Sequence, residues 1–331
     1  MRAYNLQKQI TTGKSALPVA ILISVILWVV TFFLVPELPY KESTYPFWQI
    51  ARSYFPEWLD RIACLVIFSF IGYFLIGMNN QFTFIQARVT LQTSLFFLLV
   101  SVFPCAHLLY AGDVATLAYL IAVYFLFRTY QQSRSSGNLF ISALFVGLGS
   151  LVYPQITFFL IIILIGALNF QSLNTRGFFA MIIGWALPYW FLLAYAFCFD
   201  QMFLFYQPFI ELATFYPIDL NGFEWWELAT FGYAFLLCLV ASIHSFVNSY
   251  RDKIRARAYL RFFILLNTAI YIYIIVQPEQ SMNMLSLLLA GTGILAGHLF
   301  VLSRSKAANW FFIISLTGLF ILYGFNIWML L

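Results

Sequence analysis

Long apolar runs broken by short polar punctuation set the pattern of this chain. They fall at 15–35, 61–79, 90–110, 114–130, 138–152, 154–170, 177–198, 225–246, 260–277, 282–302 and 309–330. A helix needs roughly 20 such residues to cross a hydrocarbon core about 30 Å thick. Shorter ones serve where neighbouring helices shelter them. The pattern predicts an all-α polytopic integral membrane protein of about eleven transmembrane helices. Two of the runs meet at Tyr153-Pro154-Gln155, where Pro154 removes a helical hydrogen bond. Two crossings or one kinked helix both fit that break, and Arg134 and Arg176 fall on the same side only with two.

Two segments are longer than simple turns, Pro36 to Asp60 and Phe199 to Glu224, and both are rich in aromatics. In the first, Phe47, Trp48, Ala51, Tyr54, Phe55, Trp58 and Leu59 recur at helical steps, with Gln49, Arg52, Ser53, Glu57 and Asp60 on the other face. This predicts an amphipathic helix in the membrane interface, broken near Pro56. The second segment, with Pro208, Pro217 and Trp225-Trp226, reads as a re-entrant or interfacial loop.

Composition excludes a soluble globule. The chain is 63% hydrophobic, 21% aromatic and 9% charged, whereas about a quarter of the residues in a soluble domain are charged. Charge then orients the spans. With the N-terminus cytoplasmic, every Lys and Arg falls inside except Lys41, Arg52 and Arg61, and every acid falls outside except Asp252. Retention of basic residues on the cytoplasmic face is the orienting rule, and an odd number of crossings puts the C-terminus outside. The net charge of +5 follows from that rule and implies no nucleic-acid partner. The first run is too long for a signal-peptide core and reads as a retained span. Cys64, Cys105, Cys198 and Cys238 lack metal-ligand spacing and read as buried small hydrophobes.

Chemistry has few places to go. Glu37 and Glu42 follow the first span, where a carboxylate can serve as general base to an incoming hydroxyl. Lys41, Arg52 and Arg61, in the same segment, suit a phosphate or pyrophosphate headgroup. Solvated loop charges explain the same residues equally. His107 and Asp113 bracket the next external turn, able to share a metal or a proton, while Asp113 also suits a helix N-terminus. His244 and His298 have no acid beside them at bilayer depth and read as interhelical hydrogen-bonding groups. Gly291, Gly293 and Gly297 permit close helix packing. The cluster from Arg251 to Arg261 suits anionic lipid headgroups, and orientation alone accounts for it as well. No span carries an internal acid, which argues against an ion-coupled transporter. The sequence does not identify a cofactor.

The order of these parts resembles the C-type integral-membrane glycosyltransferases, which use polyprenyl-phosphate sugars. The likeness is carried by a cytoplasmic start, one span, an acid-bearing external loop with an interfacial helix, and then Arg88-Val-Thr-Leu, Phe103-Pro104, Gly112-Asp113, Phe127-Arg128-Thr129-Tyr130 and Tyr153-Pro154. The chain also resembles a family of Phe-rich polytopic proteins of Bacteroidota-type bacteria. The first resemblance implies a seven-span module over 1–198, and then an external aromatic loop with a four-span bundle over 199–331. It implies residence in the bacterial inner membrane, a polyprenyl-linked sugar as partner, Glu37 or Glu42 as base, and Lys41, Arg52, Arg61, His107 and Asp113 as substrate-binding groups. The first external loop lacks the family's frequent Asp-Glu pair. The alternative is a non-catalytic membrane scaffold or assembly factor that docks a protein partner through its external aromatic loops.

Overall fold

The computed structural model describes residues 7, 15–36, 38–39, 45, 48–49, 56–85, 90–132, 134–215, 223–303 and 305–331. The regular elements among them are helical, and the protein is an all-α polytopic membrane protein. Among the described residues, eight helices, rather than about eleven, are long and apolar enough to cross a bilayer. They are α1 (Ala16–Leu34), α2 (Glu57–Phe82), α4 (Ala111–Arg128), α7 (Thr175–Cys198), α9 (Trp225–Val247), α10 (Ile254–Val276), α11 (Ser281–Leu302) and α12 (Lys306–Leu330).

The other apolar runs yield shorter helices, α3 (Leu91–Ser101), α5 (Ser136–Val152) and α6 (Leu160–Asn169). Proline cuts them. Phe103 and Tyr153 each precede one, and both are extended, at φ −96° ψ 100° and φ −134° ψ 91°. The chain restarts after each as a 3-10 turn, Pro104–His107 and Pro154–Phe159. Such irregular backbone is tolerated at membrane depth only where protein buries it. Here Phe103, Pro104, Tyr153 and Pro154 are all buried.

The single kinked helix is ruled out by hydrogen bonds. Ser135 Oγ donates to the Ser172 carbonyl at 2.5 Å, and the Gln131 amide donates to the Phe170 carbonyl at 3.0 Å. The start of α5 and the end of α6 therefore lie together, so the chain runs out along one and returns along the other. Helix α7 then runs parallel to α5, Gly177 against Leu139 and Tyr189 bonded to Ser150 at 2.9 Å. Their backbones approach closely through one glycine from each. A Cβ on Gly147 would stand 2.7 Å from the Trp185 carbonyl oxygen, and one on Gly184 would strike the Phe140 carbonyl.

Helix α11 is the centre of the bundle, with 89% of its apolar window buried. Gly293 and Gly297 let α3 approach so closely that a Cβ on either would stand 3.0 or 3.1 Å from Gln92 backbone atoms, and Gly291 accommodates Asn267 of α10. Asn267 Nδ2 in turn reaches Thr292 Oγ1 and Cys238 Sγ, each at 3.3 Å, and so joins α9, α10 and α11. Buried side chains from both sides of residue 198 share one hydrophobic cluster.

The helix ends form two faces. Asp60, Asp113, Asp200, Glu211, Glu224, Glu227 and Glu279 lie at one, with Arg61. Arg128, Arg134, Arg176, Lys253, Arg255, Arg257, Arg261 and Lys306 lie at the other, with Asp252. Two expectations change. Asp252 is turned inward, its Oδ2 3.1 Å from His298 Nε2, so His298 does have an acid partner. Cys198 is exposed, because α7 runs past the end of α5, while Cys64, Cys105 and Cys238 are buried.

Most of the expected interfacial helix lies outside the described residues, although Tyr45 and Trp48 are described and buried. The segment from Phe199 contains α8 (Met202–Ala213), which buries Leu204, Pro208 and Glu211 and sets the Phe209 ring 5.1 Å from that of Tyr189, tilted by 41°.

Filling the glycine contact tests this packing. Gly184→Ala forces α5 and α7 apart and is expected to cost about 1–3 kcal/mol, read as a lower melting temperature in detergent. Gly232→Ala has nothing within 4 Å of its new methyl and serves as the neutral control. Equal melting of the two variants would contradict the close approach.

Candidate functional site

The acidic face concentrates buried polar groups, and the first turns of α4 and α11 supply its frame. Asp113 sits in the first turn of α4 and accepts from the Tyr110 amide at 2.8 Å, a capping interaction that satisfies one of the helix's orphan donors. Its other oxygen accepts from the Ser286 hydroxyl of α11. Gly112 lies directly on the Asn283 backbone, and its amide donates to Asn283 Oδ1 at 3.2 Å. Asn283 Nδ2 donates to Gln280 Oε1 at 3.2 Å, and the Tyr45 hydroxyl donates to the same oxygen at 2.9 Å.

A hydrogen-bonded ribbon thus runs from Ser286 and Asp113 through Asn283 and Gln280 to Tyr45. Tyr45 is held against the bundle. It is buried, its ring lies 5.6 Å from that of Tyr153, and Gln155 also hydrogen-bonds it. Burial raises the Tyr45 phenol well above its ordinary pKa, and Tyr273 and Glu211 push the same way, so it is a neutral donor.

His107 and Asp113 have different partners. His107, in the turn outside the helices, stacks on Trp28 of α1 with ring centres 4.2 Å apart and 26° between planes. Burial lowers its pKa to about 3, only partly offset by the Ser101 main chain, and the Arg61 charge lowers it further. The imidazole is therefore neutral across the physiological range. Among the described residues, no group of three or more His, Cys, Asp or Glu side chains is placed to hold a metal ion.

Arg61, in the first turns of α2, donates to the Pro36 carbonyl at 2.6 Å and lies over the Phe32 ring at 5.1 Å. It ties the start of α2 to the end of α1. Below that tie, α1 and α2 part over α3 to leave an apolar crevice of about 250 Å³ lined by Ile21, Val25, Trp28, Leu65, Phe68 and Phe97, among others. Arg61 lies one helical turn beyond Leu65, and Phe32 one turn beyond Trp28. The cation therefore stands at the crevice's outer end, and the Trp28 indole is the wall between the crevice and His107.

Of the residues expected to carry function, Arg61, His107 and Asp113 come to this one face. Glu37, Lys41, Glu42 and Arg52 lie outside the described residues. Sequence reasoning passed over Tyr45, Gln155, Glu211, Gln280, Asn283 and Ser286. One signal was present, since Asn283 and Ser286 stand three residues apart at the start of an apolar span and so share a helix face.

No protein-family model matches the chain, and neither a curated protein nor a solved structure matches it.

The His107 environment predicts an acid-sensitive fold. Its folded-state pKa of about 3 lies below the unfolded value of about 6.5. The neutral ring's contribution is therefore full above pH 6.5 and is lost as the pH falls toward 3, at about 1.4 kcal/mol per pH unit. Melting temperature in nanodiscs is expected to decline below pH 6.5, and His107→Phe, which keeps the stack on Trp28, should flatten that decline. An unchanged slope in the variant would assign the acid sensitivity elsewhere.

Proposed function

We propose that this protein is a glycosyltransferase-like membrane protein that takes a polyprenyl-linked sugar phosphate at its acidic face. The N-terminus is then cytoplasmic, and the setting is cell-envelope assembly at a bacterial inner membrane. The observation that carries the reading is the apolar crevice between α1 and α2 with Arg61 at its outer end. An isoprenoid tail suits such a crevice, and a guanidinium at headgroup depth suits the phosphate that follows the tail.

In this reading Glu37 or Glu42 takes the proton of an acceptor hydroxyl as its oxygen attacks the anomeric carbon. The bond from that carbon to the phosphate oxygen breaks, and Arg61 stabilises the charge on the departing polyprenyl phosphate. Lys41 and Arg52 assist in holding that group, and Asp113 positions the ribbon that fastens Tyr45 three residues after Glu42. His107 supports Trp28 as a neutral ring and moves no proton.

A second reading has its own observation. Phe199, Phe203, Tyr206, Phe215 and Trp225 are exposed around the end of α7, α8 and the start of α9. Exposed aromatics at one face suit a protein partner as well as lipid headgroups.

Binding of polyprenyl-phosphate sugars to the protein in nanodiscs, against ordinary phospholipids, separates these readings. Selective binding is expected, weakened at least tenfold by Arg61→Gln and by the crevice-filling Val25→Trp. Glu37→Gln with Glu42→Gln should leave binding intact and abolish sugar transfer. Indifference between the lipids in the wild type would sink the proposal and move the weight to a docking role.

A further inference from the structure

The basic face holds a cavity that the proposed function does not use. Its volume is about 310 Å³, and it lies where α4 and α6 end and α10 begins. Arg257 and Arg261 of α10 line it, with the amide side chains Gln131, Asn169 and Gln171, and no carboxylate is among the lining residues. Arg257 is half-buried, and its Nε–H is fully buried with no hydrogen-bond acceptor. A buried charged donor without an acceptor is costly, so a cavity beside it that admits an acceptor group is informative.

The neighbouring charges leave the cavity cationic. Arg255 is engaged elsewhere, its Nε donating to the Tyr259 hydroxyl at 2.6 Å. Asp252, the one described acid of this face, is paired with His298. The first turn of α10 adds a partial positive charge of about half a unit, and the ends of α4 and α6 each add about half a unit of negative charge. Two guanidinium groups outweigh that balance. Arg forks and neutral amide donors together match an anion with several oxygens, as a phosphate has and a single carboxylate does not.

We infer that this cavity binds a phosphate group, presented by an anionic lipid headgroup or by a soluble phosphorylated compound. The cavity opens at the face where the basic residues collect, which is where a bilayer offers its own phosphates. The site is independent of the crevice between α1 and α2, with which it shares no lining residue.

Native mass spectrometry and lipid titration of the full chain test it with phosphatidylglycerol, phosphatidylcholine and, separately, glycerol 3-phosphate and inorganic phosphate as probes. Phosphatidylglycerol is expected to bind in preference to phosphatidylcholine, or the soluble phosphates to bind on their own, and that comparison identifies the source. The double variant Arg257→Gln and Arg261→Gln should weaken binding at least tenfold. Arg134→Gln with Arg176→Gln removes as much charge from the same face outside the cavity and should change binding less than twofold. Ala258→Phe, which fills the cavity and keeps both cations, should also abolish binding and covers the case in which the Arg variant does not fold. Equal weakening by the two double variants would reduce the effect to the general charge of the face. That result, or failure of every probe to bind, would overturn the inference.

Discussion

Close packing around a helix that scarcely meets lipid is the constraint on which this bundle depends. In a bilayer, apolar surface gives helices no reason to associate, so van der Waals contact and interhelical hydrogen bonds must do so. Helix α11 supplies both. Its glycines admit the backbone of α3 and the Asn267 side chain of α10, and Thr292, Ser286 and Asn283 meet polar groups of α10 and α4. A neighbour shifted by half a turn would lose the glycine contact and leave those polar groups unpaired in a low-dielectric interior, at about 1–3 kcal/mol each.

That centre explains why short helices suffice near it. Helix α3 has only 11 residues, yet nearly all of them are buried, including Gln92, Thr93, Ser94 and Ser101. Protein rather than lipid surrounds the irregular backbone that follows at Phe103 and Pro104. At the periphery the packing loosens. Helix α1 exposes most of its length, and crevices open on both of its sides, the second of about 510 Å³ against α12. The contrast puts rigid geometry at the centre and lipid-accessible space at the rim, a division suited to holding a lipid tail beside fixed polar groups.

The two faces differ in chemistry as well as in sign. At the acidic face one run of polar groups is hydrogen-bonded within itself, from Ser286 through Asp113, Asn283 and Gln280 to Tyr45, and the result is a fixed frame. At the basic face Arg257 and Arg261 border open space. The sorting of charge between the two faces does not by itself account for a cavity lined by two of the cations.

Sequence alone determined the membrane class, the helical content and the sorting of charge, because each depends on composition and on apolar periods longer than any single contact. It also located the break at Pro154, since proline acts through local sterics, and the tight approach at Gly293 and Gly297, but it ran one apolar span over 90–110 straight through Pro104. Helix length escaped it, because an apolar residue in a buried 3-10 turn has the same hydropathy as one in a span. The inward turn of Asp252 escaped it too, since Arg251-Asp252-Lys253 reads as an exposed basic loop until His298 is placed beside it. Nothing in the sequence singled out Tyr45, and only the meeting of distant helix starts gave its hydroxyl the Gln280 oxygen. Pairings between residues hundreds of positions apart are set by how helices pack, and that was left to the tertiary structure to decide.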